Sequence, residues 1–181
     1  MELDKYAFHM GSLMVNFQTI EFELRAFLYE AENISGKEIF LDKKAINETI
    51  KGDACYVSAI TNNDSLGELI YKYNHNSKVK SLGLTIDQNL KFIRNAIAHG
   101  RISGLENSDA LHLIQFAKPK DNQTKVICNI LLTEDRFNEQ LQRQGVMLHK
   151  IIEAHNKLEA VTSQDSSKRC NNIRYFVIDK T

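Results

Sequence analysis

Proline is nearly absent from this chain: Pro119 is the only one in 181 residues. With so few residues lacking a backbone N–H, long helices are free to form. Cysteine is scarce and poorly spaced for chemistry. Cys55, Cys128 and Cys170 are odd in number, far apart and form no CxxC pair. That argues against a zinc site or a disulfide framework and for a reducing compartment. Net charge is missing too. The 23 Lys plus Arg balance 23 Asp plus Glu, so no broad basic field draws in duplex nucleic acid, and any RNA contact must be a local patch. No run of eighteen apolar residues exists, so no membrane span is expected. The first thirty residues carry Glu2, Asp4, Glu21 and Glu23, which does not fit a secretory leader. The GxxxxGK[ST] and GxGxxG phosphate loops are absent, which excludes mononucleotide enzymes of those types. The expectation is one cytoplasmic domain, large enough to bury a core without staples.

What the sequence does have is helical periodicity. Tyr6, Met10, Leu13, Phe17, Ile20, Leu24 and Phe27 alternate steps of three and four, a stripe that packs one long helix against others along its length. That helix is expected to stop between Asn33 and Gly36. Asp42 is a candidate cap for a short helix carrying Ala45, Ile46 and Ile50, and ACYVSAI (54–60) reads as helix or strand, with helix preferred. Ser65–Glu68 has capping-box spacing and opens a helix LGELIYKY, followed by a polar loop NHNSK (74–78). Thr85–Gln88 has the same spacing and is expected to open the next helix, with Ile86, Leu90, Ile93 and Ile97 as its core-facing stripe. The period then changes. DALHLIQF (109–116) and β-branched TKVICNILL (124–132), separated by AKPKDNQ, read as a β-hairpin. Thr133 caps a last long helix with Phe137, Leu141, Leu148, Ile151, His155 and Leu158 on one side. QDSSKRCNN (164–172) reads as a linker, and RYFVIDK (174–180) as a tail strand. The fold class is therefore mainly α: a helical bundle over residues 1–163 with a small β-hairpin, about 109–132, inserted before the last long helix, then a linker and tail over 164–181.

One stretch asks for a functional explanation: FIRNAIAHG, residues 92–100. At 100° per residue, Asn95 and His99 lie about 170° and 150° from the centre of the apolar stripe, and Arg94 about 70° from it. Asn95 and His99 share one face as an i, i+4 pair, while Arg94 can pack its stem at the stripe edge and reach outward. All three thus line the side turned from the core, and Gly100 stands where a left-handed residue would close the helix. Helix-end chemistry accounts for much of this by itself, because cationic side chains complement the C-terminal end of the macrodipole.

RNAIAH resembles the signature of the HEPN superfamily: an arginine, four to six residues beginning with a polar one, then a histidine, near the end of a helix in a helical bundle. Arg94, Asn95 and His99 match its shortest spacing. The order of elements over roughly residues 1–163 is similar as well, with the hairpin as a departure. The resemblance implies a homodimer in which two motif helices face each other across a two-fold axis, and often a metal-independent endoribonuclease without cofactor. In that chemistry the neighbouring 2′-OH of RNA is the nucleophile. His99 would move protons, the role for which imidazole is the most common side chain. Arg94 would grip the phosphate, and Asn95 would orient one or the other. Arg101 is a candidate second phosphate contact, though a solvated loop arginine is the simpler reading.

Two function classes follow from the resemblance. One is a ribonuclease, such as a toxin or phage-defence effector with an antitoxin partner, acting on a narrow substrate such as a tRNA loop. The other is a non-catalytic module that dimerises and binds a nucleotide, RNA or protein. Elsewhere, Glu21 and Arg25 read as a surface ion pair. His9, His75, His112, His149 and His155 have no metal-ligand spacing, and Ser103 and Ser108 lack a nucleophile elbow.

Overall fold

A computed structural model describes residues 3–34, 57–104 and 110–162. The expectations for 37–56, the linker at 164–172 and the tail strand at 174–180 fall outside the described residues.

Among the described residues the chain is mainly helical with one small antiparallel sheet. Helix α1 spans Leu3–Ile34, and its stripe behaves as the periodicity demands: Leu13, Phe17, Ile20, Leu24 and Phe27 are buried, with Tyr6 and Met10 partly so. The last helix, α5 (Glu134–Thr162), starts where Thr133 Oγ1 accepts the Arg136 N–H at 3.2 Å. Its Phe137, Ile151, His155 and Leu158 are buried. The two long helices run parallel. Tyr6 and His9 pack on the Phe137 ring, Gln144 Nε2 donates to the Leu13 carbonyl, and His155 meets Glu30, so contacts advance together along both helices. No described helix is long and apolar enough to cross a membrane.

Between them, α2 (Leu66–His75) opens on the expected capping box. The Ser65 side chain accepts the Glu68 N–H, while the Glu68 carboxylate accepts the Ser65 N–H at 2.7 Å. The NHNSK segment is not a loop. Asn76 ends α2 and caps α3 (Ser77–Leu82), its Oδ1 accepting the Lys78 and Val79 N–H groups. Thr85–Gln88 does not open a helix either. Both backbone groups of Ile86 are taken by the Asn74 amide (2.8 and 2.9 Å), and Asp87 pairs with Arg143 of α5 at 2.8 Å. This holds 84–87 outside any helix, with Ile86 still buried. The motif helix, α4, therefore begins later, at Leu90, and ends at His99.

The sheet holds three strands in the order β1–β2–β3, one more than the expected hairpin: β1 (Arg101–Gly104), β2 (Leu111–Phe116) and β3 (Val126–Leu132). β2 and β3 form the hairpin, whose tip places Asp121 and Asn122 at positive φ between the bridged Lys120 and Gln123. β1 follows α4 directly and pairs with β2, Arg101 opposite Ile114. Leu113 and Leu132 anchor the sheet in the helical core. The described part of ACYVSAI is neither helix nor strand. Ser58 and Thr61 close a turn there, Thr61 Oγ1 accepting the Ser58 N–H at 2.8 Å.

Candidate functional site

The core-facing side of α4 differs from its isoleucine stripe. Leu90 and Ala96 are the buried positions, while Ile93 and Ile97 are only partly covered. Ala96, fully buried, lets the helix lie close to the sheet, and Arg94 and Asn95 are both half-buried on its flank.

Arg94 points along that flank to α1. Its Nη2 lies 4.0 Å from Glu21 Oε2, and its Nη1 donates to Asn95 Oδ1 at 3.3 Å. The side chain keeps 32% of its surface exposed, so the stem packs and the guanidinium stays accessible, as its place at the stripe edge implied. Arg94 and Asn95 share an open polar cleft of about 700 Å³. Its other walls come from Glu21 and Arg25 of α1, residues 62–65, Tyr71 and Lys72 of α2, and Lys91.

Arg25 is the structural centre of this cleft, and it is not a surface residue. Its side chain is 13% exposed, and its guanidinium pairs with Glu21 at 3.1 Å. It also donates to the Ala59, Asn62 and Asp64 carbonyls and to Asn62 Oδ1, at 2.7–3.1 Å. One planar fork thus locks the 59–64 turn onto α1. The carboxylates around it are occupied as well. Asp64 Oδ2 pairs with Lys72 at 2.5 Å. Glu68 completes the capping box, and the Ser65 N–H and hydroxyl hold its carboxyl below the usual range.

His99 opens elsewhere. It is exposed at the end of α4 and lines a smaller depression of about 290 Å³ with Arg101, Phe116, Ala117, Pro119 and Thr124. Arg101 lies over the Phe116 ring, 5.2 Å from its centroid, so it is not a freely solvated loop residue. The four candidate residues are therefore brought together in two pairs: Arg94 with Asn95 toward α1, and His99 with Arg101 toward the sheet. A single copy does not converge them on one phosphate.

Among the described residues, no group of three His, Cys, Asp or Glu side chains is placed to hold a metal ion. Burial pushes the Cys128 thiol up, which makes it a poorer nucleophile. The Glu21–Arg25 pair was legible in the sequence, but the further partners of Arg25, some 34 to 39 residues away, were not, nor were Lys91 and Tyr71 as cleft residues. Tyr71 and His75 did carry a signal, an aromatic pair at i, i+4 on one helix face. The periodicity puts His155 on the packed side of the last helix but does not show its partners: its ring nitrogens stand 2.6 Å from Glu30 and 3.8 Å from Glu23 in the core between α1 and α5. Comparison with protein-family models, curated proteins and solved structures finds no match to this chain.

Proposed function

We propose that this protein is a metal-independent endoribonuclease of HEPN type, acting as a homodimer through Arg94, Asn95 and His99. The observation that carries the reading is that Arg94 and His99 leave one helix toward two different depressions. Each depression holds half of what RNA cleavage needs. A second copy related by a two-fold axis along α4 supplies the missing half to each.

The chemistry follows from the residue types. The ribose 2′-oxygen attacks the adjacent phosphorus, its proton passing to a base, and the 5′-oxygen leaves with a proton, giving a 2′,3′-cyclic phosphate. His99 is the proton carrier, and Arg94 binds the phosphate as negative charge gathers on it. Asn95, already accepting from Arg94, orients the guanidinium. Arg101, beside His99, binds a neighbouring phosphate. The role that accompanies such a nuclease is that of a toxin or phage-defence effector held by an antitoxin, with a structured RNA such as tRNA as substrate.

One observation favours a second reading, a non-catalytic dimerisation module: Glu21 faces Arg94 at 4.0 Å and competes with any incoming phosphate. RNA cleavage separates the two. The nuclease reading expects cleavage that persists in excess chelator, leaves cyclic phosphate ends, spares DNA and is lost in Arg94→Ala and His99→Ala. Cleavage that stops with chelator and returns with magnesium overturns the mechanism. A folded His99→Ala variant that cuts like wild type removes the histidine from it.

A further inference from the structure

We infer that Tyr71 forms a stacking subsite for an unpaired RNA base beside the Arg94 cleft, so that the preferred ligand is a single-stranded segment. The choice of RNA as ligand rests on the nuclease reading; the subsite itself rests on the cleft. Tyr71 is 55% exposed although it is a large aromatic residue, and it lines the same cleft as Arg94 and Lys91. Its ring is held in place. The His75 imidazole stacks on it, with centroids 3.9 Å apart and planes 28° from parallel. His75 Nδ1 sits 2.8 Å from the Tyr71 carbonyl oxygen, which fixes the imidazole in turn. A ring backed in this way presents an ordered aromatic surface, and little side-chain freedom remains to be lost when a base lands on it.

The charges around the ring fit a nucleotide. Three carboxylates line the cleft, and each is occupied within it: Glu21 by Arg25, Asp64 by Lys72 and Glu68 by Ser65. Lys91 has no ion-pair partner among the described residues, its Nζ lying 5.1 Å from the Phe92 centroid, and Arg94 has only the 4.0 Å approach of Glu21. The cleft therefore offers two cations for phosphate oxygens and one backed aromatic ring for a base. A duplex hides its base faces within the stack. Only an unpaired base can reach the ring while its phosphate reaches Arg94. This also suits a chain with no net charge, because base stacking supplies affinity that a basic field would otherwise provide.

The test uses the full chain and a short single-stranded 2′-O-methyl oligoribonucleotide carrying one 2-aminopurine. Such a probe cannot be cleaved through a 2′-OH, and its fluorescence drops when the base stacks. The wild type is expected to bind and quench it. Tyr71→Ala, with a wild-type melting curve, should lose the quenching and bind roughly 5- to 100-fold more weakly, the effect of losing one stacked base. Tyr71→Phe should retain both, and the same probe annealed to its complement should bind more weakly by a similar factor. Equal binding by Tyr71→Ala, equal binding of the duplex, or no binding by the wild type overturns the subsite. Quenching that depends on Tyr71 without any RNA cleavage supports the subsite and removes the nuclease reading. Cleavage of RNA with binding indifferent to Tyr71 does the reverse.

Discussion

Gly100 and Leu113 approach so closely that a side chain on the glycine would have no room: an added Cβ would lie 2.7 Å from Leu113 Cδ1 and would overlap the Ala96 carbonyl oxygen. The glycine is needed for this close passage of α4 over β2. It is not needed for a left-handed turn, since its φ of −76° and ψ of 171° suit any residue, which corrects the expectation drawn from helix-end sequence rules. Gly100→Ala should therefore destabilise by roughly 1–3 kcal/mol through overpacking alone. Gly11→Ala is the contrasting change, on exposed helix surface with nothing near the new methyl group, and should gain about 0.5–1 kcal/mol of helix propensity. Urea denaturation of both variants checks the pair. A neutral Gly100→Ala would mean that α4 and the sheet can separate at no cost.

Arg25→Ala should cost on the order of 3 kcal/mol, because it strands part-buried carbonyls of the 59–64 turn as well as the Glu21 carboxylate. Arg25→Lys keeps the charge and loses the fork, so it should recover only a small part of that stability. Thermal melts measure both. A Lys variant as stable as wild type would show that the charge matters and the five-bond geometry does not.

Tyr73 makes an alkaline prediction. Its hydroxyl is buried and donates to the Leu84 and Lys150 carbonyls, and burial pushes its pKa well above the usual tyrosine value. A group whose folded pKa is raised gives its full stability below the unfolded value, near 10, and loses it as pH climbs toward the folded one. Between those limits the wild type should lose up to about 1.4 kcal/mol per pH unit more than Tyr73→Phe does. Below pH 9 the order reverses, since the variant lacks both hydrogen bonds. Parallel stability curves for the two proteins above pH 10 would count against the buried phenol.

The elements legible in the sequence were those whose causes are local. The α1 stripe, the Ser65 capping box, the Thr133 cap and the β2–β3 hairpin each need only residues within a few positions of one another. Thr85–Gln88 carried the same local signal as Ser65–Glu68 and failed, because Asn74 and Arg143 claim Ile86 and Asp87 from elsewhere in the chain. Strand β1 has four exposed residues and no periodicity; it exists because β2 offers it an edge. The same divide runs through the site. The motif and its place at a helix end could be read directly, and so could the position of Arg94 at the edge of the apolar stripe. Which neighbours each would meet could not, because Ala96 rather than Ile93 or Ile97 is the fully buried position of α4 and because the Arg25 clamp is built from distant backbone.

The most direct test of the composite site is complementation. Arg94→Ala removes the phosphate grip from one depression, and His99→Ala removes the proton carrier from the other. If each site takes its arginine from one copy and its histidine from the second, each variant alone has no complete site. A mixed dimer keeps one complete site alongside one that lacks both groups. The two purified variants, each inactive, should therefore recover a substantial part of wild-type RNA cleavage when dissociated together and reassembled. His99→Ala should fold normally, since an exposed position away from the core changes stability by about 0.5 kcal/mol or less. Ile93→Ala, which removes a partly buried side chain, should destabilise by less than the roughly 2–5 kcal/mol of a full core truncation. It should leave cleavage largely intact wherever the protein is folded. Light scattering that shows a monomer at micromolar concentration, or a mixture as inactive as its parts, would rule out the shared site and leave α4 as a helix end whose polar residues serve packing and binding alone.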